Sequence, residues 1–127
     1  YHPDDKPTRI IFASPDELIR KKIRAVMEEN FGEKVDVVFP GDDFVDVHKK
    51  GINKGRALHK LCNLWGIERE NVIAFGNTEN DISMMKFAGQ SWAVANADPV
   101  ALEAADEICA SNEEDGVAKT LEALILK

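Results

Sequence analysis

Apolar and polar positions divide this chain into two stretches of different rhythm. Arg9 to Ala13 (RIIFA) is a short apolar run of strand length. Ser14, Pro15 and Glu17 follow with the spacing of a capping box, which predicts a helix starting there. Leu18, Ile19, Ile23, Val26 and Met27 then recur at helical spacing, and Gly32 is a plausible stop. Val35 to Phe39 and Phe44 to His48 read as two further strands, with Pro40-Gly41-Asp42-Asp43 as the turn between them. The first stretch is therefore a strand–helix–strand–strand unit.

The polar, glycine-containing segment Lys49 to Asn53 is the expected boundary, which places one domain at 1–50 and a second at 51–127. Beyond it a helix carries Ala57, Leu58, Leu61, Cys62 and Trp65 on one face and ends at Gly66. Val72 to Phe75 reads as a strand, about Glu79 to Ala88 as a helix, and Ser91 to Ala95 as a strand. Pro99 to Ala105 reads as a helix, Glu107 to Ala110 as a short strand, and Gly116 to Leu126 as a final amphipathic helix. Strands alternating with helices predict a parallel α/β sheet.

Composition narrows the classes. The 127 residues are 44% hydrophobic and 31% charged, ordinary for a globular protein, with a formal net charge of -7. That acidity argues against nucleic acid and anionic membranes as partners, because both select basic patches. No run approaches the length of a membrane span and no signal-peptide pattern opens the chain, so a cytoplasmic protein is expected. Cys62 and Cys109 lie in apolar surroundings without metal-site or redox spacing, and read as buried free thiols. Tyr1, rather than Met, opens the chain, as expected of a piece of something longer.

Three spots carry candidate chemistry. In Asn53-Lys54-Gly55-Arg56, Lys54 stands at a helix start, where anions are favoured; taken alone it reads equally as a solvated surface lysine. Gly76-Asn77-Thr78-Glu79-Asn80-Asp81 leaves the carboxyl end of a strand and opens a helix, where α/β sheets bind ligands. Its oxygen-bearing side chains suit a hard cation, or the segment is a polar turn with Thr78 or an Asn as helix cap. Asn96, in Ala93 to Asp98, reads first as the cap of the following helix and second as a ligand contact.

Together the segments resemble the Cof-type phosphatases of the haloacid dehalogenase (HAD) superfamily. The pieces are Lys54-Gly55 with Leu58 and Leu61, Gly76 to Met84, Ala88-Gly89, Ala93 to Ala97, and Asp115-Gly116-Val117-Ala118. The resemblance is close over 51–127 and loose over 1–50, where only the pattern of the family's α/β cap fits. It implies a partial HAD-like, three-layer Rossmann-type parallel sheet with a remnant of a cap domain. It also implies Mg²⁺-dependent hydrolysis of phosphate monoesters, often sugar phosphates, through an aspartyl-phosphate.

On this resemblance Lys54 matches the lysine that neutralises phosphoryl oxygens, and Asn80 and Asp81 match a pair that contacts phosphate and supports the metal and the lysine. Asn77 stands where the family has a metal-ligating Asp, so a weakened Mg²⁺ site is expected, with Asn77 and Asp81 as its ligands. The family's nucleophile motif, Asp-x-Asp followed by a Ser or Thr, does not occur in the chain. Asp4-Asp5 and Asp42-Asp43 read as turns rather than substitutes. The expectation is therefore a C-terminal half that is inactive alone, or alternatively a non-catalytic phosphate-binding or regulatory module. The strand Val72 to Phe75 is expected to present an unpaired edge and to promote self-association.

Overall fold

The structure, a computed structural model, describes residues 7–126. Asp4 and Asp5 lie outside them. The chain divides into two compact units between Ile52 and Asn53.

In the first unit, β1 (Arg9–Ala13), α1 (Glu17–Phe31), β2 (Val35–Val38) and β3 (Phe44–Lys49) follow in order. The strands form an antiparallel sheet in the order β1-β3-β2, with Val45 of β3 opposite Phe12 and Val47 opposite Ile10 and Val37. Period-two alternation turns Val37, Val45 and Val47 into one buried cluster, and Ile23 and Met27 of α1 pack on it. Of the remaining apolar stripe of α1, Leu18, Ile19 and Val26 are exposed.

The start of α1 differs from the sequence expectation. The cap is Asp16, whose carboxylate accepts from the N–H groups of Leu18 at 2.8 Å and Ile19 at 3.4 Å. Ser14 Oγ instead accepts from Asp16 N at 3.2 Å, so serine orders the residue that caps. A carboxylate at a helix N-terminus is also favoured by the dipole, which a serine is not. Asp42 and Asp43 sit in the turn before β3, as expected.

The second unit contains α2 (Lys54–Trp65), β4 (Ile73–Gly76), α3 (Ile82–Phe87), β5 (Gln90–Val94), α4 (Pro99–Ala104), β6 (Glu107–Cys109) and α5 (Gly116–Ile125). Its strands are parallel in the order β4-β5-β6, and β4 is paired on one side only among the described residues. The first of them begins one residue later than Val72, whose N–H closes the preceding turn on the Arg69 carbonyl at 3.0 Å and whose own carbonyl accepts from Gly89 N and Gln90 N at 3.1 and 3.2 Å. Ala74, Met85, Ala88 and Ala93 form the buried core, flanked by Val72, Met84, Ala97, Leu102 and Ala105. The small alanines let α3 lie close on the sheet, and Met85, 1% exposed, fills the gap that remains.

The expected apolar face of α2 is only partly buried: Cys62 is covered, whereas Trp65 is 65% exposed. Cys109 is likewise buried and, like Cys62, unpaired. Ser91, buried in β5, locks onto Asp106 just before β6. The Asp106 carboxylate accepts from Ser91 Oγ at 2.7 Å and Ser91 N at 2.8 Å, and Asp106 N donates back to Ser91 Oγ at 3.1 Å. Those two donors, the hydroxyl first, hold the Asp106 carboxyl below the ordinary carboxylate range. No helix among the described residues is long and apolar enough to cross a membrane.

Candidate functional site

Three chain segments meet at the carboxyl end of β4. The strand hands the chain from Gly76 to Asn77 and Thr78, and a single tight turn, Glu79–Asp81, precedes α3. The sequence pattern suggests one helix from Glu79. The turn is tightened because Asp81 folds its carboxylate back: one oxygen accepts from Asn77 N at 3.0 Å and Thr78 N at 3.3 Å. These are charge-assisted bonds to N–H groups that the strand no longer serves. Asn77 is tied from the other side too, its carbonyl accepting from Asp98 N at 2.8 Å.

The second Asp81 oxygen receives Lys54 Nζ, which crosses from the first residue of α2. Asn80 Oδ1 lies 3.4 Å from the same ammonium and accepts from Thr78 Oγ1 at 2.7 Å. The pair is asymmetric: the Asp81 side chain is 5% exposed and that of Lys54 is 49% exposed. The carboxylate is thus built into the fold, while the Lys54 side chain is half exposed and its ammonium has three donors. Lys54, Asn80 and Asp81, singled out from sequence, stand together.

Beside this cluster is a cavity of about 240 Å³ lined by Phe75, Gly76, Asn77, Val94, Asn96, Asn112 and Val117. It sits at the carboxyl ends of β4 and β5, the end of a parallel sheet at which ligands bind. Here the structure corrects the reading of Asn96. Helix α4 begins at Pro99 behind Asp98, and Asn96 does not cap it. Its amide pairs with Asn112: Asn96 Nδ2 donates to Asn112 Oδ1, and Asn112 N donates to Asn96 Oδ1 at 3.3 Å. A loop two residues longer than a cap requires frees Asn96 to bridge instead. Asn112 itself carried no sequence signal, because its partner lies 16 residues away.

A divalent cation is a demanding tenant. Asn77 and Asp81 bring oxygen donors of the kind Mg²⁺ takes, but Mg²⁺ needs near-octahedral coordination. Both Asp81 oxygens are engaged, and no group of three or more His, Cys, Asp or Glu side chains is placed to hold a metal among the described residues. These side chains do not by themselves complete such a site.

A parallel sheet with a polar cluster and a cavity at its strand ends defines the second unit as an α/β fold. The haloacid dehalogenase-like hydrolase family matches residues 1–121, and the chain belongs to that family. It is 36% identical over 115 residues to 5-amino-6-(5-phospho-D-ribitylamino)uracil phosphatase YcsE of Bacillus subtilis (strain 168), covering 91% of this chain and 45% of that one. The fold is similar to that of a HAD/COF-like hydrolase from Plasmodium vivax, with TM-score 0.85, 27% identity, and coverage of 94% of this chain and 43% of the other. It is also similar to the HAD subclass IIB sugar phosphatase BT4131, with TM-score 0.73, 27% identity, and coverage of 81% and 39%. The chain spans less than half the length of each. The family resemblance and the α/β fold expected from sequence are both borne out.

Proposed function

We propose that Lys54, Asn80 and Asp81 form the phosphoryl-binding part of a phosphomonoester hydrolase acting on a small phosphorylated substrate of the sugar phosphate class. One observation carries the reading: residues 26 and 27 positions apart bring an ammonium, an amide and a buried carboxylate to the end of a parallel strand. Membership of a hydrolase family supports it, as do the phosphatase names of the relatives.

In this reading Asp81 fixes the ammonium of Lys54, and the outward N–H groups of Lys54 bind phosphoryl oxygens. The Asn80 carbonyl oxygen is engaged, which leaves its NH₂ as a further donor. The aspartate nucleophile and the general acid–base carboxylate of an aspartyl-phosphate mechanism are part of the proposal, yet the 127 residues contain no Asp-x-Asp. Mg²⁺ belongs to it only with donors beyond Asn77 and Asp81. The chain alone is therefore expected to bind phosphate without turning over its esters. A non-catalytic phosphate-binding or regulatory module is the second reading, favoured by the neutral Asn77 at the cavity wall.

Calorimetry with inorganic phosphate and a hexose phosphate tests the site. Lys54→Ala should weaken binding about tenfold or more, the worth of one charged hydrogen bond. Absence of binding by the unmodified chain would sink the reading. Turnover of a chromogenic phosphate ester with Mg²⁺, abolished by Lys54→Ala, would instead show that the chain needs no outside nucleophile.

The edge of β4 adds a proposal about assembly. A strand that is unpaired on one side among the described residues, carrying half-buried Ile73 and Phe75, is a template for another strand. Self-association is expected, and a monomeric mass by light scattering at all concentrations tried would rule it out.

A further inference from the structure

We propose that Ser83 is the residue that positions Lys54. The inference rests on Lys54 as the phosphate-facing cation for its meaning, but not for its test.

The first N–H groups of a helix have no partner within it. In α2 the cap residue is Asn53, whose Oδ1 accepts from Arg56 N at 2.8 Å. The N–H of Gly55, next to Lys54, is satisfied from another helix: it donates to Ser83 Oγ at 3.0 Å. Ser83 is half-buried in the first turn of α3, two residues after Asp81. The contact is close because Gly55 has no side chain. A Cβ there would lie 2.2 Å from the Ser83 carbonyl oxygen and 2.6 Å from its carbonyl carbon, both backbone atoms.

One short stretch, the turn residue Asp81 and the first turn of α3, thus grips two consecutive residues of α2. Asp81 holds the Lys54 ammonium, and Ser83 holds the backbone from which that side chain springs. A lysine stem has four rotatable bonds, and ordering it opposes an ion pair made by a half-exposed side chain. Fixing the backbone origin opposite Asp81 removes part of that disorder in advance. Ser83 is not among the residues that line the cavity, and its hydroxyl acts through the backbone of Gly55.

Competitive acetylation of the full chain with acetic anhydride, read residue by residue by mass spectrometry, tests this without phosphate. Lys60 and Lys86, both exposed and on the same two helices, are internal standards. In Ser83→Ala the labelling of Lys54 relative to these standards should rise about three- to tenfold, the loss of one net hydrogen bond. Ser83→Thr, which keeps the hydroxyl, should label like the unmodified chain. Ser83→Cys, similar in volume but a poor acceptor, should behave like alanine and serves if alanine does not fold. An unchanged Lys54 ratio in the alanine or cysteine variant, an equal rise at all three lysines, or a threonine variant as reactive as alanine would each overturn the assignment. Failure to bind phosphate would sink the proposed function and leave this result standing.

Discussion

Asp81→Ala is expected to lower the stability of the second unit by about 2–4 kcal/mol and to abolish measurable phosphate binding. Three partners lose their acceptor at once: Lys54 Nζ and the backbone N–H groups of Asn77 and Thr78. Orphaning a buried donor costs about 1–3 kcal/mol, and removing one member of a buried ion pair about 3–5 kcal/mol. The second figure must be discounted, because half of the Lys54 side chain reaches solvent and its charge is screened there. Asp81→Asn separates the two roles. Its carbonyl oxygen can still serve the Asn77 and Thr78 N–H groups, so most of the stability should survive. The anchoring charge is gone, so phosphate affinity should fall nearly as far as in alanine. Urea unfolding beside calorimetry checks both; equal stability of the alanine variant and the unmodified chain would show that the folded-back carboxylate does not hold the turn.

Met85→Ala should be as damaging to the fold, although it removes none of the charged or amide groups of the site. Met85 is 1% exposed and lies in the core with Ala74, Ala88 and Ala93. Its neighbours are already small, so they cannot move in to fill the space, and a loss of about 2–5 kcal/mol is expected. The side chain also lies against the strand end that leads into the Asp81 turn: a Cβ on Gly76 would sit 2.4 Å from its sulfur and 2.8 Å from Asp81 Cβ. Removing the thioether therefore takes away the floor under Gly76. Met85→Leu, nearly equal in volume, should cost less than about 1.5 kcal/mol. Chemical denaturation of the two variants decides it; a leucine variant as unstable as alanine would mean that the sulfur's flexible shape, rather than filled volume, matters.

The element order was legible from sequence because each element is written by local terms. Alternating valines made β2 and β3, the recurrence of Leu58 and Cys62 made α2, and Gly66 stopped it with a left-handed backbone, φ 66°. Most boundaries were legible to a residue or two, since neighbouring caps compete, but α3 begins at Ile82, three residues after the expected Glu79. Asp16 took the place expected of Ser14 because a charged acceptor outranks a hydroxyl at a helix start, and Asn96 left its expected cap for Asn112. The chemistry of Lys54, Asn80 and Asp81 could be named from residue types and a family resemblance. Their meeting could not be read from spacing.

What the sequence by itself determined is the succession of strands and helices, the acidic character and the inventory of candidate groups, because propensity, periodicity and charge act over a few residues. What the tertiary structure decided is which of those groups touch. Lys54 reaches Asp81 only because a bare Gly55 lets α2 close on the backbone of Ser83, an approach set by packing between segments 28 residues apart. No local term fixes such a distance; the shape of the assembled core does.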